Sequence, residues 1–497
     1  MTMDSKMSRS INAHYHDIKS PLIRNAEPPF TYSHILKSVG PYALSRLAVV
    51  LTNLATAFTL ANTNADSVAA APLIISVQFL SMGIGRGNLL GMNNIIAAAH
   101  GRGDTKKIYE VMSIAPLYAL LCSIPTCALF ATSQLYLEHF FNTPTEVAYQ
   151  VFRFTLPYFT AVFPIFIYVA DLQFALGIER SKLSFYTSWL ATFLAIPIGV
   201  PLSLATTFFY GTAGIATGIS IASWLIMFGL KLYFIKNRRL YNQYGVIGFS
   251  VQRVIEGAKH FKELLSIGTA ICLMMLSEEM NILALSLLES LKFDKYVLMA
   301  IHASIQCLAS GVVLSQGFAQ GICSLIENER GRCKKAIGNR LRENAQQHVK
   351  NIKMISFKGQ LLSLLISLPI AVTLYCLAEP ISRSFLSSDT LKANQYATSF
   401  LQASALGIIP NAWMEVTKNS NRGMQDYIAP TLINFLTVTL LGLGAGTAFS
   451  YYTLSPIAIF WGRVFGTVLA ASCQQYRFLR NTKALEAETE LVTSNAT

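Results

Sequence analysis

The sequence predicts an all-α, polytopic membrane protein built from two similar halves. Of its 497 residues, 53% are hydrophobic and only 13% are charged, about half the charged fraction of an ordinary soluble domain. Many apolar runs reach the roughly 20 residues that a helix needs to cross a bilayer. Two stretches 228 positions apart also resemble each other, which indicates an internal duplication.

The duplication is clearest between residues 69–107 and 297–335. A shift of 228 positions aligns Gln78 with Gln306 and Gly103 with Gly331. The same shift extends without a gap back to residue 36, and at least 13 of the 72 aligned positions are identical. We therefore predict the same arrangement of six helices in each half.

Hydropathy predicts twelve transmembrane helices in two pseudo-symmetric six-helix lobes. The predicted spans are 38–60, 70–98, 111–133, 150–176, 183–206, 211–235, 264–288, 297–325, 352–378, 392–416, 427–450 and 454–476. The chain then divides into a flexible polar tail (1–35), a first lobe (36–236), a cytoplasmic linker (237–262), a second lobe (263–476) and a cytoplasmic tail (477–497). We expect an amphipathic helix on the membrane surface within residues 327–358.

The basic residues predict the orientation. The two tails and the loops after spans 2, 4, 6, 8 and 10 carry 28 of the 39 Lys and Arg residues, whereas the other six loops carry three. This asymmetry places both termini in the cytoplasm, and it explains the net charge of +13 without a nucleic-acid partner. No signal peptide is evident, so we expect a bacterial inner (plasma) membrane protein.

The cysteines predict neither a metal site nor a disulfide framework. The eight cysteines show no Cys-x-x-Cys spacing, and most lie within apolar runs. No nucleophile–base or metal cluster is evident at membrane depth either. We therefore expect no cofactor and no enzyme activity.

Several short motifs, in a fixed order, resemble one transporter family. Pro41 opens the first span, and residues 66–103 combine small residues with a Gly-x-Gly run ahead of basic residues. QFALGIERSK (173–182) follows span four, and NRGMQDYIAP (421–430) follows span ten. This order resembles the multidrug and toxic compound extrusion (MATE) transporters over residues 36–476. The resemblance implies twelve helices in two lobes around a central cleft.

The resemblance also implies a function. Similar proteins are secondary active transporters that export small cationic or amphipathic compounds by alternating access, in antiport with H⁺ or Na⁺. We expect a monomer whose partners are small molecules and membrane lipid. Three alternatives stay open: a flippase-type exporter of lipid-linked or anionic cargo, a transport-dead scaffold and, disfavoured, a membrane-embedded enzyme.

The first lobe departs from the family pattern at its ion site. Thr56 stands where the family usually has an aspartate, and Ala195 and Gly199 stand at the polar pair of span five. The resemblance therefore moves any ion coupling to the second lobe. The candidates there are Glu278, Glu279, Asn281 and Asn411. Burial would raise the pKa of such a carboxylate until cationic cargo competes with its proton; simple pairing with an arginine is the alternative.

Polar residues at membrane depth are the candidates for the substrate cleft, because each needs a partner or water. They are Arg46, Asn53, Thr56, Gln78, Arg86, Thr217, His302 and Gln306. Structural pairing is the alternative for the arginines, and interhelical hydrogen bonds are the alternative for the glutamines. Asp171 and Glu415, near span ends, are expected to be simple interfacial charges.

Overall fold

The computed structural model describes residues 30–494 except 62, 64, 142, 206–209, 248–250, 291–294 and 386–390, and some side chains within helices, including those of 278–290, are also left out. In these ranges all regular structure is helical. Twelve long helical segments are numbered in chain order: α1 (Tyr32–Ala61), α2 (Ala65–Arg102), α3 (Thr105–Ala131), α4 (Thr145–Gly177), α5 (Ser181–Ala205), α6 (Thr212–Lys236), α7 (Phe261–Ser290), α8 (Lys295–Gly338), α9 (Arg342–Cys376), α10 (Leu391–Gly423), α11 (Ile428–Thr453) and α12 (Ile457–Ser494).

Shorter pieces complete the fold. They are the helices Ser133–Phe141, Arg238–Tyr241, Val251–Gly257 and Ala378–Phe385, and the single turns Asn242–Tyr244 and Ala258–His260. Within α11, the stretch Phe435–Leu443 is a π-helix between the α-helical pieces Ile428–Asn434 and Gly444–Thr453.

Ten of these helices, within the described part of the chain, are long and apolar enough to cross a membrane. The protein is therefore an integral membrane protein with many transmembrane helices. The other two long helices, α8 and α10, have 44 and 33 residues but carry many polar residues in their last turns. Twelve membrane spans and a division into two lobes stay predictions.

The helix pairings of the first half recur in the second. Helix α2 packs against α3 and α4, as α8 packs against α9 and α10. Helix α4 packs against α6 and α5 against α6, as α10 packs against α12 and α11 against α12. Between the halves, α2 packs against α7 and α8 packs against α1. This correspondence supports the internal duplication.

Helices α2 and α8 cross at equivalent positions of the repeat. His100 and Asn328 are one repeat apart, and Nδ1 of His100 lies 3.2 Å from Oδ1 of Asn328. The backbones are so close that a Cβ on Gly101 would clash with the Asn328 carbonyl oxygen. Residues one repeat apart thus meet at this crossing, as is expected close to the axis of a pseudo-two-fold arrangement. The term basic end is used below for the end of the helix bundle at which α2, α4 and α10 stop.

Two sequence predictions about local structure are wrong. Residues 327–358 hold no separate surface helix, because α8 continues to Gly338 and α9 begins at Arg342; their polar residues are partly buried against other helices instead. Pro41 lies inside α1 rather than at its start, where it removes one backbone hydrogen bond.

The linker between the halves is held to the first half by charge. The carboxylate of Glu110 on α3 accepts a hydrogen bond from Lys259 Nζ at 2.7 Å and lies 2.9 Å from His260 Nε2. Lys107, at the start of α3, donates to Glu263 at the start of α7 at 2.8 Å. These contacts fasten α7 to the basic end of α3.

Candidate transport site between the halves

Arg46 of α1 joins helices from both halves. Its Nη2 donates to Tyr42 Oη at 2.8 Å and to Gln320 Oε1 on α8 at 2.7 Å. Gln320 Nε2 in turn donates to Gln173 Oε1 on α4 at 3.1 Å. This predicted cleft residue therefore has polar partners where α1, α4 and α8 meet, and it holds the two halves together.

Gln78 and Arg86 both face α4. Gln78 Nε2 donates to Tyr158 Oη at 2.7 Å, which is the interhelical hydrogen bond expected as the alternative to a cleft role. The charge of Arg86 acts on the hydroxyls of Tyr158 and Tyr168. The Nε of Arg86 is buried with no partner among the described residues, so this arginine keeps an unused donor.

The hydroxyls of Thr56 and Thr217 form hydrogen bonds within their own helices. The Thr56 hydroxyl donates to the Thr52 carbonyl, and the Thr217 hydroxyl donates to the Ala213 carbonyl, both at 2.8 Å. Asn53 is half-buried on α1. Thr217 also borders a groove of about 450 Å³ between α4 and α6, whose other lining residues are Pro157, Thr160, Ser220, Ile221, Trp224, Leu225 and Phe228.

The positions of the missing first-lobe ion site are taken up by helix packing. A Cβ on Gly218 of α6 would clash with the Gly199 backbone and would lie 2.8 Å from the Ala195 carbonyl oxygen. Ala195 and Gly199 therefore form a close contact between α5 and α6, which leaves little space for a carboxylate. Nearby, the hydroxyls of Thr52 and Thr192 lie 3.0 Å apart and connect α1 to α5.

The second-lobe ion candidates are only partly described. The backbone of Glu278, Glu279 and Asn281 is helical in α7, but their side chains lie outside the described residues, as do those of His302 and Gln306 on α8. The side-chain oxygen of Asn411 on α10 is buried and has no partner among the described residues. A buried acceptor of this kind calls for a partner such as water or an ion.

The expectation that Asp171 and Glu415 are simple interfacial charges is wrong. Asp171 is 2% exposed, and Lys231 Nζ on α6 approaches its two oxygens at 2.8 and 2.7 Å. Glu415 is 4% exposed and pairs with Lys418 at 2.7 Å on the same helix. Each carboxylate is buried beside a lysine that compensates its charge.

A buried polar junction at the basic end was not predicted from the sequence. Ser324 Oγ of α8 donates to the Leu176 carbonyl at 3.0 Å, and Asn328 Nδ2 donates to the Gly177 carbonyl at 3.2 Å. These bonds attach α8 to the last turn of α4. Glu327, between them on α8, is 0% exposed.

The repeat alignment contained a signal for this glutamate. Ala99 lies one repeat before Glu327, and both residues are completely buried. The second half thus has a carboxyl group where the first half has a methyl group. Such a departure from the repeat is expected at functional positions. The polar residues from position 327 onward had instead predicted an amphipathic helix on the membrane surface.

Comparison with known proteins gives consistent results. The model of the MatE family matches residues 41–200 and 342–446, more than half of the chain. The multidrug resistance protein NorM of Aliivibrio fischeri is 23% identical over 453 residues, which are 86% of this chain and 90% of that protein.

Solved structures show the same fold. An outward-facing multidrug resistance MATE family transporter of the MOP superfamily has a TM-score of 0.79 at 16% identity, over 91% of this chain and 96% of its own. A MOP superfamily transporter from Pyrococcus furiosus, reported to have a binding pocket of reverse polarity, has a TM-score of 0.79 at 15% identity over the same shares. At these identities, the likeness establishes the fold alone.

Proposed function

The chain belongs to the MatE family of multidrug efflux transporters, and we propose that it exports small cationic or amphipathic compounds by ion-coupled antiport. The observation that carries this proposal is the contact between the halves at the basic end. There, α8 of the second half packs against α1, α2 and α4 of the first. In alternating access, such a contact closes one side of the membrane and separates to open it.

The coupling ion, H⁺ or Na⁺, is held in this proposal by the second lobe. Glu278 or Glu279 would bind it with Asn281 and Asn411. The unused oxygen of buried Asn411 supports this assignment. So does the packing at Ala195 and Gly199, where the first half has a close helix contact in place of the family's polar pair.

We place the basic end, and with it both termini, in the cytoplasm of a bacterial cell. The support is the concentration of 28 of the 39 Lys and Arg residues in the tails and loops predicted for that end. A membrane-impermeant thiol reagent should therefore not label Lys334→Cys from outside intact cells. Labelling from outside would reverse the orientation.

Transport by the purified protein in liposomes tests the proposed function. A proton gradient and a sodium gradient are imposed separately, and the movement of a fluorescent cationic dye is followed. One of the two gradients should drive the dye across the membrane against its own gradient. Liposomes that show no transport with either gradient, although they contain folded protein, would contradict export by antiport.

A second candidate keeps the fold and changes the cargo. The described carboxylates Asp171 and Glu415 are compensated by lysines, whereas Arg86 keeps an unused buried donor. This balance favours cargo with an anionic group, and a structural relative with a pocket of reverse polarity is known. Gradient-driven movement of an anionic dye in place of the cationic dye would support this candidate.

A further inference from the structure

Glu327 is buried in the junction between the halves without adequate partners for a charge. Its Oε1 accepts two long hydrogen bonds, from Tyr427 Oη at 3.3 Å and from Gln425 Nε2 at 3.5 Å. Its Oε2 is buried with no partner among the described residues. The residue as a whole is 0% exposed.

The nearby cations do not neutralise this carboxylate. The charges of Arg330 on α8 and Arg422 on α10 act on Glu327, but within the described part of the chain neither forms an ion pair with it. Arg422 is 3% exposed and donates only through Nη1, to Asn419 Oδ1 at 2.8 Å. Its Nε and Nη2 are buried and unpartnered in the same region.

The other titratable groups around the junction are engaged elsewhere or are neutral. His100 on α2 faces Asn328, and Lys418 on α10 pairs with Glu415. The Cys323 thiol on α8 lies 4.0 Å from Asn94 Oδ1 on α2. Glu327 is therefore the one acidic group that this junction buries without compensation, among the residues described.

Burying a charged carboxylate costs far more than burying a neutral one when its oxygens lack partners. Accordingly, burial raises the pKa of Glu327 well above its ordinary value, although Arg330, Arg422 and the two hydrogen bonds to Oε1 oppose the shift. Separation of α8 from α2 of the other half would admit water and remove this cost. The packed junction therefore favours the protonated acid, and the separated junction favours the carboxylate.

We propose that Glu327 is a proton-binding site of the transport cycle, occupied while α8 is packed against α2 and emptied when the two halves separate there. On opening, the Glu327 carboxylic acid transfers its proton to an entering water molecule, leaving a carboxylate and a hydronium ion. No other reactant is needed. This site is distinct from the candidates on α7, and it rests on the proposed opening of the basic end.

The sign of the pH dependence follows from linkage. The packed state binds one more proton than the open state at pH values between the two pKa values of Glu327. In that window the open population should rise with pH, by up to about tenfold per pH unit for one proton. Glu327→Gln, which imitates the neutral acid and cannot ionise, should stay mostly closed and lose this slope.

Distance measurement between the halves tests the proposal. Spin labels are placed at Lys182→Cys at the start of α5 and Lys350→Cys on α9, both exposed, in the full chain in liposomes. The exposed Cys376 and the partly exposed Cys127 and Cys473 are replaced, while the five buried cysteines stay. The populations of the short and long distances are then measured from pH 5 to pH 9.

Three variants are compared with the parent. Glu327→Gln should abolish the pH slope, whereas Glu329→Gln should keep it, because Glu329 is bonded to Arg332, His348 and Asn351. Tyr427→Phe removes a hydrogen bond that stabilises the charged form in the packed state, so the upper end of the pH window, where the open population stops rising, should move to higher pH. This third variant keeps the test decisive if Glu327→Gln does not fold.

The outcomes separate this proposal from the proposed function. If no long distance is seen at any pH, the basic end does not open and alternating access fails as well. If a long distance is seen but its population does not change with pH, only the role of Glu327 is overturned. That role is also overturned if Glu327→Gln keeps the parent's slope, or if Tyr427→Phe leaves the upper end of the pH window unmoved.

Discussion

At the basic end, the turns that follow α4 and α10 have similar backbones but different side chains. We call each of these turns, together with the residues packed against it, a corner. In the first half, α4 ends at Gly177, which packs against Ile96 of α2; in the second, α10 ends at Gly423, which packs against Ile326 of α8. The backbone then turns in the same way, with φ of 61° at Glu179 and 64° at Gln425. Helices α4 and α10 thus both end at a tightly packed glycine that is followed two residues later by a residue with positive φ.

Their chemistry differs at the two positions that face the junction. The corner of the first half has Ala99 on α2 and Leu176 before its glycine, and both are buried. The corner of the second half has Glu327 and Arg422 at the corresponding places, equally buried. The duplicated backbone therefore accommodates either apolar or charged side chains at these two positions. We infer that the shape is structural and that the charge in the second corner serves transport.

Substitutions at the corresponding positions of the two corners should have the largest effects on stability, and the two losses of stability should be unequal. Ala99→Glu introduces a carboxylate at a completely buried position and should cost about 3–5 kcal/mol. Glu327→Ala removes an incompletely bonded group and should cost no more than about 2 kcal/mol. Thermal unfolding in detergent measures both variants. Equal losses would show that the two corners are chemically equivalent after all.

Alanine substitution of the two corner glycines should reduce stability by similar amounts, because both corners have a similar backbone conformation. A Cβ on Gly177 would lie 2.7 Å from Ile96, and one on Gly423 would lie 2.8 Å from Ile326. Each substitution by alanine should therefore destabilise the protein by about 1–3 kcal/mol through overpacking. Gly229→Ala on α6 is the control, since nothing lies within 4 Å of its Cβ. A large effect at only one corner would break the structural equivalence.

The repeat and the fold class could be read from the sequence because both depend on hydropathy and on glycine positions. The ion pair of Glu415 and Lys418 could also have been predicted from the sequence, since residues three apart share a helix face. The pair of Asp171 and Lys231 was not, because it depends on how α4 and α6 pack. Glu327 was overlooked because polar residues at the end of a span suggest solvent, whereas tertiary packing buries this one.

The smallest effect is expected at Glu329, where the first half has Gly101 and no titratable group. Burial alone would raise the pKa of Glu329, but hydrogen bonds from His348 and Asn351 and the charge of Arg332 lower it overall. A lowered pKa contributes stability above the ordinary value of 4.5, and this contribution is lost as pH falls through the folded-state value.

Glu329→Gln should therefore cost about 1 kcal/mol at neutral pH and progressively less in acid. Unfolding measured at pH 7 and at pH 4 checks this expectation. A difference between parent and variant that grows in acid would have the wrong sign.

The central claim is that the second half holds the ion chemistry and the first half does not. The most direct measurement is gradient-driven dye transport by Glu278→Gln, Glu279→Gln and the double variant, under whichever gradient drives the parent. The exposed Glu146→Gln, at the start of α4, is the matched control. We predict that at least the double variant loses gradient-driven transport and keeps downhill exchange of dye, while Glu146→Gln transports like the parent. Full gradient-driven transport by the double variant would contradict the account and place the coupling site outside α7.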